Sequence, residues 1–353
     1  MNKIILPLIA ALSIVLWGSC EQHDKYITIR GYAQGGVYSV TMNLKGVDVG
    51  HDEIAKCITG ILENIDTTLS GYNKNSILSR FNAGKDVAPN KLFLDAYQIG
   101  CDIYNETAGV VDVASAPLFD LWGFGFKTGV MPTDDEVEQV RINSGLGRCV
   151  GSYKEIDSPT LNAEDLLLPE SGPVLPQLNY NAVAQGYSCD LVAEYLYSIG
   201  VKDMLVDIGE IYCDGKNPSG MPWTVGIDKP VDGNNELGAD VQGIFKVPSG
   251  PHGVVTSGNY RKFYIRDGKK YAHTIDPRTG YPVSHSLLSA TVIAADATLA
   301  DAYATYFMVV GLDESKEFLK GRVDMEVCLI YDEEGEFKTW CTPGFLLETT
   351  LKQ

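Results

Sequence analysis

Residues 261–305 read RKFYIRDGKKYAHTIDPRTGYPVSHSLLSATVIAADATLADAYAT. Apolar and aromatic residues on either side of Asp267-Gly268-Lys269-Lys270 predict a β-hairpin of Arg261–Ile265 with Tyr271–Ile275. Asp276, Pro277 and Gly280 then set a turn, and Leu288–Ala294 is an apolar run of strand length. Asp296 stands at an N-cap position, and the helix it opens runs to Gly311. Hairpin, turn, strand and helix follow one another without regular βαβ repetition. That order predicts an α+β fold of mostly antiparallel sheet with flanking helices.

The flanking sequence agrees. Val37–Met42 alternates like a strand, and Ile54, Cys57/Ile58, Ile61/Leu62 and Ile65 recur at helical spacing. Thr133 with Glu136 forms a capping-box pattern before a short acidic helix. Leu191, Val192, Tyr195, Leu196 and Ile199 mark a second amphipathic helix that Gly200 stops, and Met204–Ile208 reads as a buried strand. Val327–Tyr331 and Phe337–Cys341 predict a last hairpin around Asp332–Glu336, and Pro230–Gly250, rich in Gly, Asp and Asn, predicts a surface excursion. No Pro/Ser-rich linker divides the chain, so residues 21–353 are read as one domain.

The formal net charge of −18, with no Lys/Arg-rich run, argues against nucleic acid and other polyanions as partners. An anionic ligand would need local groups or a metal to neutralise it. Lys3, the apolar run Ile4–Trp17 and the small residues Gly18-Ser19 before Cys20 form an export signal. The cysteine directly after the small residues points to lipoprotein processing, with Cys20 the lipidated first residue and the product a membrane-anchored lipoprotein facing the periplasm. Trp17 is atypical for a lipobox, and an ordinary cleaved signal is the other reading. The remaining cysteines, at 57, 101, 149, 189, 213, 328 and 341, have no zinc spacing and read mostly as small buried apolar residues. Their spacing fixes no pairing.

Chemistry concentrates in a few segments. Asp301 and Thr305 stand four apart on one helix face, and carboxylate with hydroxyl is a hard-oxygen pair suited to Mg²⁺. The same pair is also read as a buried aspartate satisfied by its threonine neighbour. His273 at a strand end and Asp276 in the following turn are placed for proton transfer or phosphate contact, or simply as turn residues. Thr256-Ser257-Gly258-Asn259-Tyr260-Arg261 offers N–H groups, a hydroxyl and a guanidinium to an anion, and is equally ordinary turn chemistry. Asn181-Ala182-Val183-Ala184-Gln185-Gly186-Tyr187, with Asp190, opens a helix whose N-terminus favours phosphate, or places a packing glycine. The aromatics of Leu121–Phe126 read as stacking faces for a planar ring or as core anchors.

Taken in series, these motifs resemble the ApbE family of FAD:protein FMN transferases. The resemblance spans Gly31 to about Phe345 and rests on LSGYNKNSILSRFN (69–82), VDVASAPLFDLWGFG (111–125), NAVAQGYSCD (181–190), VDIGEIYCDGKN (206–217), TSGNYRKFY (256–264), HTIDPRTG (273–280) and DAYAT (301–305). It implies Mg²⁺ held by Asp301, Thr305 and the Ala184 carbonyl, with His273 and Asp276 as catalytic residues. It also implies an FAD site lined by Ser70, Tyr72, Ser76, Asp207, Gly209, Ser257, Gly258, Tyr260 and His273. The implied reaction transfers FMN from FAD to a threonine of an exported flavoprotein, such as a subunit of an Rnf- or Na⁺-pumping-type redox complex, and releases AMP. The chain carries no obvious copy of the acceptor pattern itself. Three positions depart from the family pattern: Gln185 replaces a lysine, Gly35-Gly36 lacks a hydroxyl, and Gly209-Glu210 is shortened. FAD hydrolysis to FMN and AMP and non-catalytic FAD carriage are the alternatives to transfer, and a surface glycan-binding lipoprotein is a third class.

Overall fold

Between Leu287 and Ala294 nearly every side chain is buried, which a strand achieves only when both faces of its sheet are covered. The computed structural model describes residues 25–85, 87–125, 131–148, 177–231, 240–260, 263–266 and 269–349. In it the strands are β1 (Tyr26–Ala33), β2 (Gly36–Asn43), β3 (Met204–Asp207), β4 (Ile211–Asp214), β5 (Thr224–Asp228), β6 (Val241–Lys246), β7 (His252–Gly258) and β8 (Phe263–Arg266). They continue as β9 (Lys269–Ala272), β10 (Ile275–Asp276), β11 (Tyr281–Pro282), β12 (Leu287–Ala294), β13 (Glu326–Glu333), β14 (Glu336–Cys341) and β15 (Leu347–Thr349). The helices are α1 (His51–Leu69), α2 (Ile77–Asn82), α3 (Lys91–Glu106), α4 (Ala116–Leu121), α5 (Asp134–Ile142), α6 (Ala184–Ser198) and α7 (Ala297–Phe318).

Eight strands form one antiparallel sheet in the order β1-β2-β3-β4-β7-β12-β13-β14. Successive side chains point to opposite faces, so alternate residues build two cores. Val255, Ala290, Val292, Val327 and Leu329 join the core beneath α1, α3, α6 and α7. Their neighbours Val254, Ile293, Cys328 and Ile330 meet Trp223, Ile227, Phe245 and Phe345, which belong to or flank the small sheet β15-β6-β5. The fold is thus α+β with mostly antiparallel sheet, as the sequence predicts.

Four elements differ from their sequence reading. The β8–β9 hairpin turns more tightly, pairing Arg266 with Lys269, so Lys269 and Lys270 belong to a strand. The β13–β14 turn likewise shrinks, pairing Glu333 with Glu336. Pro230–Gly250 is only partly an excursion, because β6 lies inside it and pairs with β5 and β15. Gly311 kinks α7 instead of ending it: its φ of 79° breaks the helix, which resumes to Phe318. His285 Nε2 donates to the Met308 carbonyl at this kink, and a Cβ at 311 would come within 2.9 Å of the imidazole. The signal segment 1–20 with Cys20, together with Phe126, Cys149, Arg261 and Asp267-Gly268, lies outside the described residues.

The start of α7 is held from three sides. Asp296 caps its own helix by accepting from Leu299 N at 2.7 Å. Asp190, on α6, accepts from Ala297 N (2.8 Å), Thr298 N (2.9 Å) and Thr298 Oγ1. Ala300 N reaches the Asp296 carbonyl at 3.2 Å, so all four leading N–H groups are satisfied. Two glycines let the neighbours close in. A Cβ at Gly253 of β7 would lie 2.2 Å from the Asp296 carbonyl, and one at Gly186 of α6 would lie 2.2 Å from the Ala297 carbonyl oxygen. Gly186, one reading of which is a packing glycine, therefore serves helix–helix packing.

Gly186→Ala should accordingly destabilise the protein by about 1–3 kcal/mol in urea titration, since backbone must move to admit the methyl. Gly60→Ala, on the exposed face of α1 with open space around it, should add about 0.4–1 kcal/mol. Equal effects of the two substitutions would contradict this packing account.

Candidate active site

The α6–α7 contact buries Asp301, the carboxylate read from the sequence as a candidate metal ligand. Gly186 N, in the first turn of α6, donates to Asp301 Oδ2 at 3.1 Å. Asp301 is only 4% exposed, and no Lys or Arg forms an ion pair with it among the described residues. Burial pushes its carboxyl up to about 7, the Gly186 N–H opposes the shift, and the charge of Asp190 adds to it. Thr305 lies one turn further along the same helix, and Ala184 is the first residue of α6. Carboxylate, hydroxyl and carbonyl form a hard-oxygen set whose single buried carboxylate wants positive charge, which fits Mg²⁺. No group of three or more His, Cys, Asp or Glu side chains competes as a metal site among the described residues.

Ala184's carbonyl is itself positioned. Ser188 Oγ donates to it at 2.6 Å, and Gln34 Nε2, from the β1–β2 turn, donates to Ser188 Oγ. Neither Ser188 nor Gln34 was singled out in the sequence. A hydroxyl bonding back to the carbonyl four residues earlier is a local signal that could have found Ser188. Gln34 is 154 residues away and left no such signal.

The β3–β4 turn closes the same corner. Asp207 Oδ1 accepts from Gly209 N at 3.1 Å, and burial pushes the Asp207 carboxyl up. Gln185 Nε2 donates to the Ile208 carbonyl at 3.3 Å and sits 2.7 Å from where a Cβ on Gly209 would be. Two of the three departures from the family pattern, Gln185 and the short Gly209-Glu210 turn, therefore meet in space. Burial also raises Asp190 to about 6 against the hydrogen bonds from Thr298 and Ala297.

His273 is half-buried between β9 and β10, among Ala272, Thr274 and Ile275, which are buried. Both sides of it are pinned. Tyr271 stacks on Trp122 at 5.9 Å and on Tyr264 at 5.3 Å, while Phe124 stacks on Tyr264 at 5.1 Å. Trp122 Nε1 donates to the Gly280 carbonyl at 2.8 Å. The aromatics of Leu121–Gly125 thus stack on protein rings, the anchoring one of their two readings. Asp276 is held by Arg278, whose Nε lies 3.0 Å from Oδ1 and Nη2 3.0 Å from Oδ2. The guanidinium was not anticipated, and it commits Asp276 to fixing the 276–280 turn.

The remaining candidates divide. Ser257 and Gly258 end β7, and a Cβ at Gly258 would strike the Tyr260 ring at 2.4 Å, so that glycine seats the buried tyrosine. Beside it, Asn259 Oδ1 and Ser289 Oγ are buried without a hydrogen-bond partner among the described residues. Ser76 is fully buried, accepting from Ser79 N at 2.9 Å and donating to the Ser70 carbonyl at 2.6 Å. It shapes the Ser70–Ser76 turn from within, whereas Tyr72 is 74% exposed.

The family model described as "ApbE family" matches residues 34–329. The chain is 32% identical over 318 residues to the FAD:protein FMN transferase of Escherichia coli strain K12, covering 86% of this chain and 84% of that protein. The apo flavinyl transferase ApbE of Pseudomonas stutzeri superposes with a TM-score of 0.75 at 29% identity, covering 91% of this chain and 95% of that one. The flavin transferase ApbE of Vibrio cholerae gives 0.74 at 28% identity, covering 92% and 100%. With its fold, its motif series and these likenesses in agreement, the chain belongs to the ApbE family.

Proposed function

We propose that this protein transfers FMN from FAD to a threonine hydroxyl of an acceptor protein, with Mg²⁺ required and AMP released. Asp301 carries the reading. It is a buried carboxylate without a basic partner among the described residues, tied to the first turn of α6 and followed one helical turn later by Thr305. The relatives' names supply FAD as donor and protein as acceptor.

Asp301, Thr305 and the Ala184 carbonyl would hold Mg²⁺, which supplies neutralisation of pyrophosphate charge when bound. His273 takes the proton from the attacking threonine Oγ. The new bond forms to the phosphorus on the FMN side, the bond to the AMP oxygen breaks, and AMP leaves with the electron pair. Asp276, engaged by Arg278, keeps the turn after His273 in place and acts as a positioning residue. Ser257, Gly258 and Tyr260 line the flavin nucleotide from one side, and Ser70, Tyr72, Asp207 and Gly209 from others. Ser76 contributes by holding the Ser70 carbonyl.

The N-terminal signal and Cys20 support an exported lipoprotein facing the periplasm. Its acceptor is then an exported flavoprotein, of the kind found in Rnf- or Na⁺-pumping-type redox complexes.

The chain from Glu21 onward, incubated with FAD, Mg²⁺ and an acceptor bearing the threonine pattern, should give flavin fluorescence on the acceptor in a denaturing gel, with AMP released. EDTA should abolish both signals and added Mg²⁺ restore them. AMP without labelled acceptor would replace transfer by hydrolysis, and FAD binding with neither signal would leave a carrier.

His273→Ala should lower the transfer step at least about 100-fold, the scale of a lost general base, while FAD affinity stays within about threefold. Parallel loss of both would remove the assigned role. Asp301→Asn should abolish Mg²⁺-dependent transfer and leave the folded state intact by circular dichroism. Full activity in that variant would place the metal elsewhere.

A further inference from the structure

The edge of the main sheet brings two of the scattered cysteines face to face. Cys328 of β13 and Cys341 of β14 are directly opposed in the antiparallel register. Thr342 N donates to the Val327 carbonyl at 2.9 Å, and Val327 N donates to Thr342 Oγ1 at 2.9 Å. Val327 and Thr342 are therefore a hydrogen-bonded position of the ladder, and the next pair, Cys328 with Cys341, is a non-hydrogen-bonded one. At such positions the Cα atoms approach to about 4.5 Å, within the roughly 4.4–6.8 Å that a disulfide spans. The two sulfurs lie 2.9 Å apart. That is about 1 Å beyond the ~2.05 Å of a formed bond, so closing it needs no movement of the strands.

We infer that Cys328 and Cys341 form a cross-strand disulfide when the protein meets a disulfide oxidant. Cys341 lies on the edge strand and is half-buried, whereas Cys328 is fully buried behind it. The order of events follows. The Cys341 thiolate attacks one sulfur of the oxidant's disulfide and displaces the other as a thiolate. The Cys328 thiolate then attacks the Cys341 sulfur and displaces the second. Two cysteine thiols lose two electrons and two protons, and one oxidant disulfide becomes two thiols.

The bond would tie β14, the outermost strand, to β13, whose other neighbour is β12. It would also fix Cys328 in the core facing Phe245 and Phe345, which holds the small sheet onto the large one. An exported chain meets oxidants that a cytosolic chain does not, so the pairing suits the compartment the N-terminus indicates.

The test oxidises the purified, pre-reduced protein with oxidised glutathione, alkylates it under denaturing conditions and maps its tryptic peptides without reduction. The expected result is one linked pair, residues 323–338 joined to 339–352, with a mass 2 Da below the sum of the reduced peptides. The oxidised protein should also melt about 3–6 °C higher than the reduced one. That rise should vanish in Cys341→Ser, with Cys328 then alkylated. Alkylation of both cysteines after oxidation would overturn the inference, as would linkage of either to a different cysteine. Because linkage is read on the unsubstituted chain, poor folding of the variant leaves the test intact.

Discussion

The Asp301 side of the candidate site hangs on how the first turn of α7 is gripped. A helix start carries unsatisfied N–H groups and partial positive charge, and here two carboxylates from different parts of the chain answer it, Asp296 and Asp190. The grip is close because Gly186 and Gly253 remove the side chains that would hold α6 and β7 away. It fixes the rotation and height of α7 against α6. That in turn sets where Asp301 and Thr305 stand relative to the Ala184 carbonyl. The proposed metal ligands, one carboxylate, one hydroxyl and one carbonyl, stand on these two helices, and this contact supplies their rigidity.

The electrostatics of this corner run against folding. Asp190, Asp207 and Asp301 are all buried enough to hold protons more tightly than free carboxylates, and the corner offers them mainly N–H and hydroxyl donors. His273 is handled differently. Its segment is clamped by ring stacking at Tyr271 and by Trp122 at Gly280, while Arg278 secures Asp276. One part of the site is fixed by a helix contact and the other by an aromatic clasp.

Much of this was legible in the sequence because the signals were local. The Thr133–Glu136 capping box is formed, with Thr133 N donating to Glu136 Oε2 at 2.8 Å, and Asp296 caps α7. The alternation of Val37–Met42 and the apolar run before Ala294 became strands for the reasons that suggested them. Where reading failed, a distant partner decided. Gly311 looked like a helix stop, yet His285 takes up the Met308 carbonyl and the helix continues beyond the kink. The role of Asp190 depends on N–H groups more than a hundred residues away, and Gln34 reaches Ser188 across the fold. Val241–Lys246 pairs with β15 near the C-terminus, a contact its loop-like composition conceals. Cys328 and Cys341 likewise acquire a relationship only through strand register.

The central claim is that Asp301, Thr305 and the Ala184 carbonyl share one divalent cation beside the flavin nucleotide. Anomalous scattering from crystals grown with FAD and Mn²⁺ in place of Mg²⁺ tests it most directly. The account predicts a peak within coordinating reach of all three oxygens and of FAD phosphate. A flavin-bound crystal with no peak at that corner, or with the metal held by other residues, would contradict it.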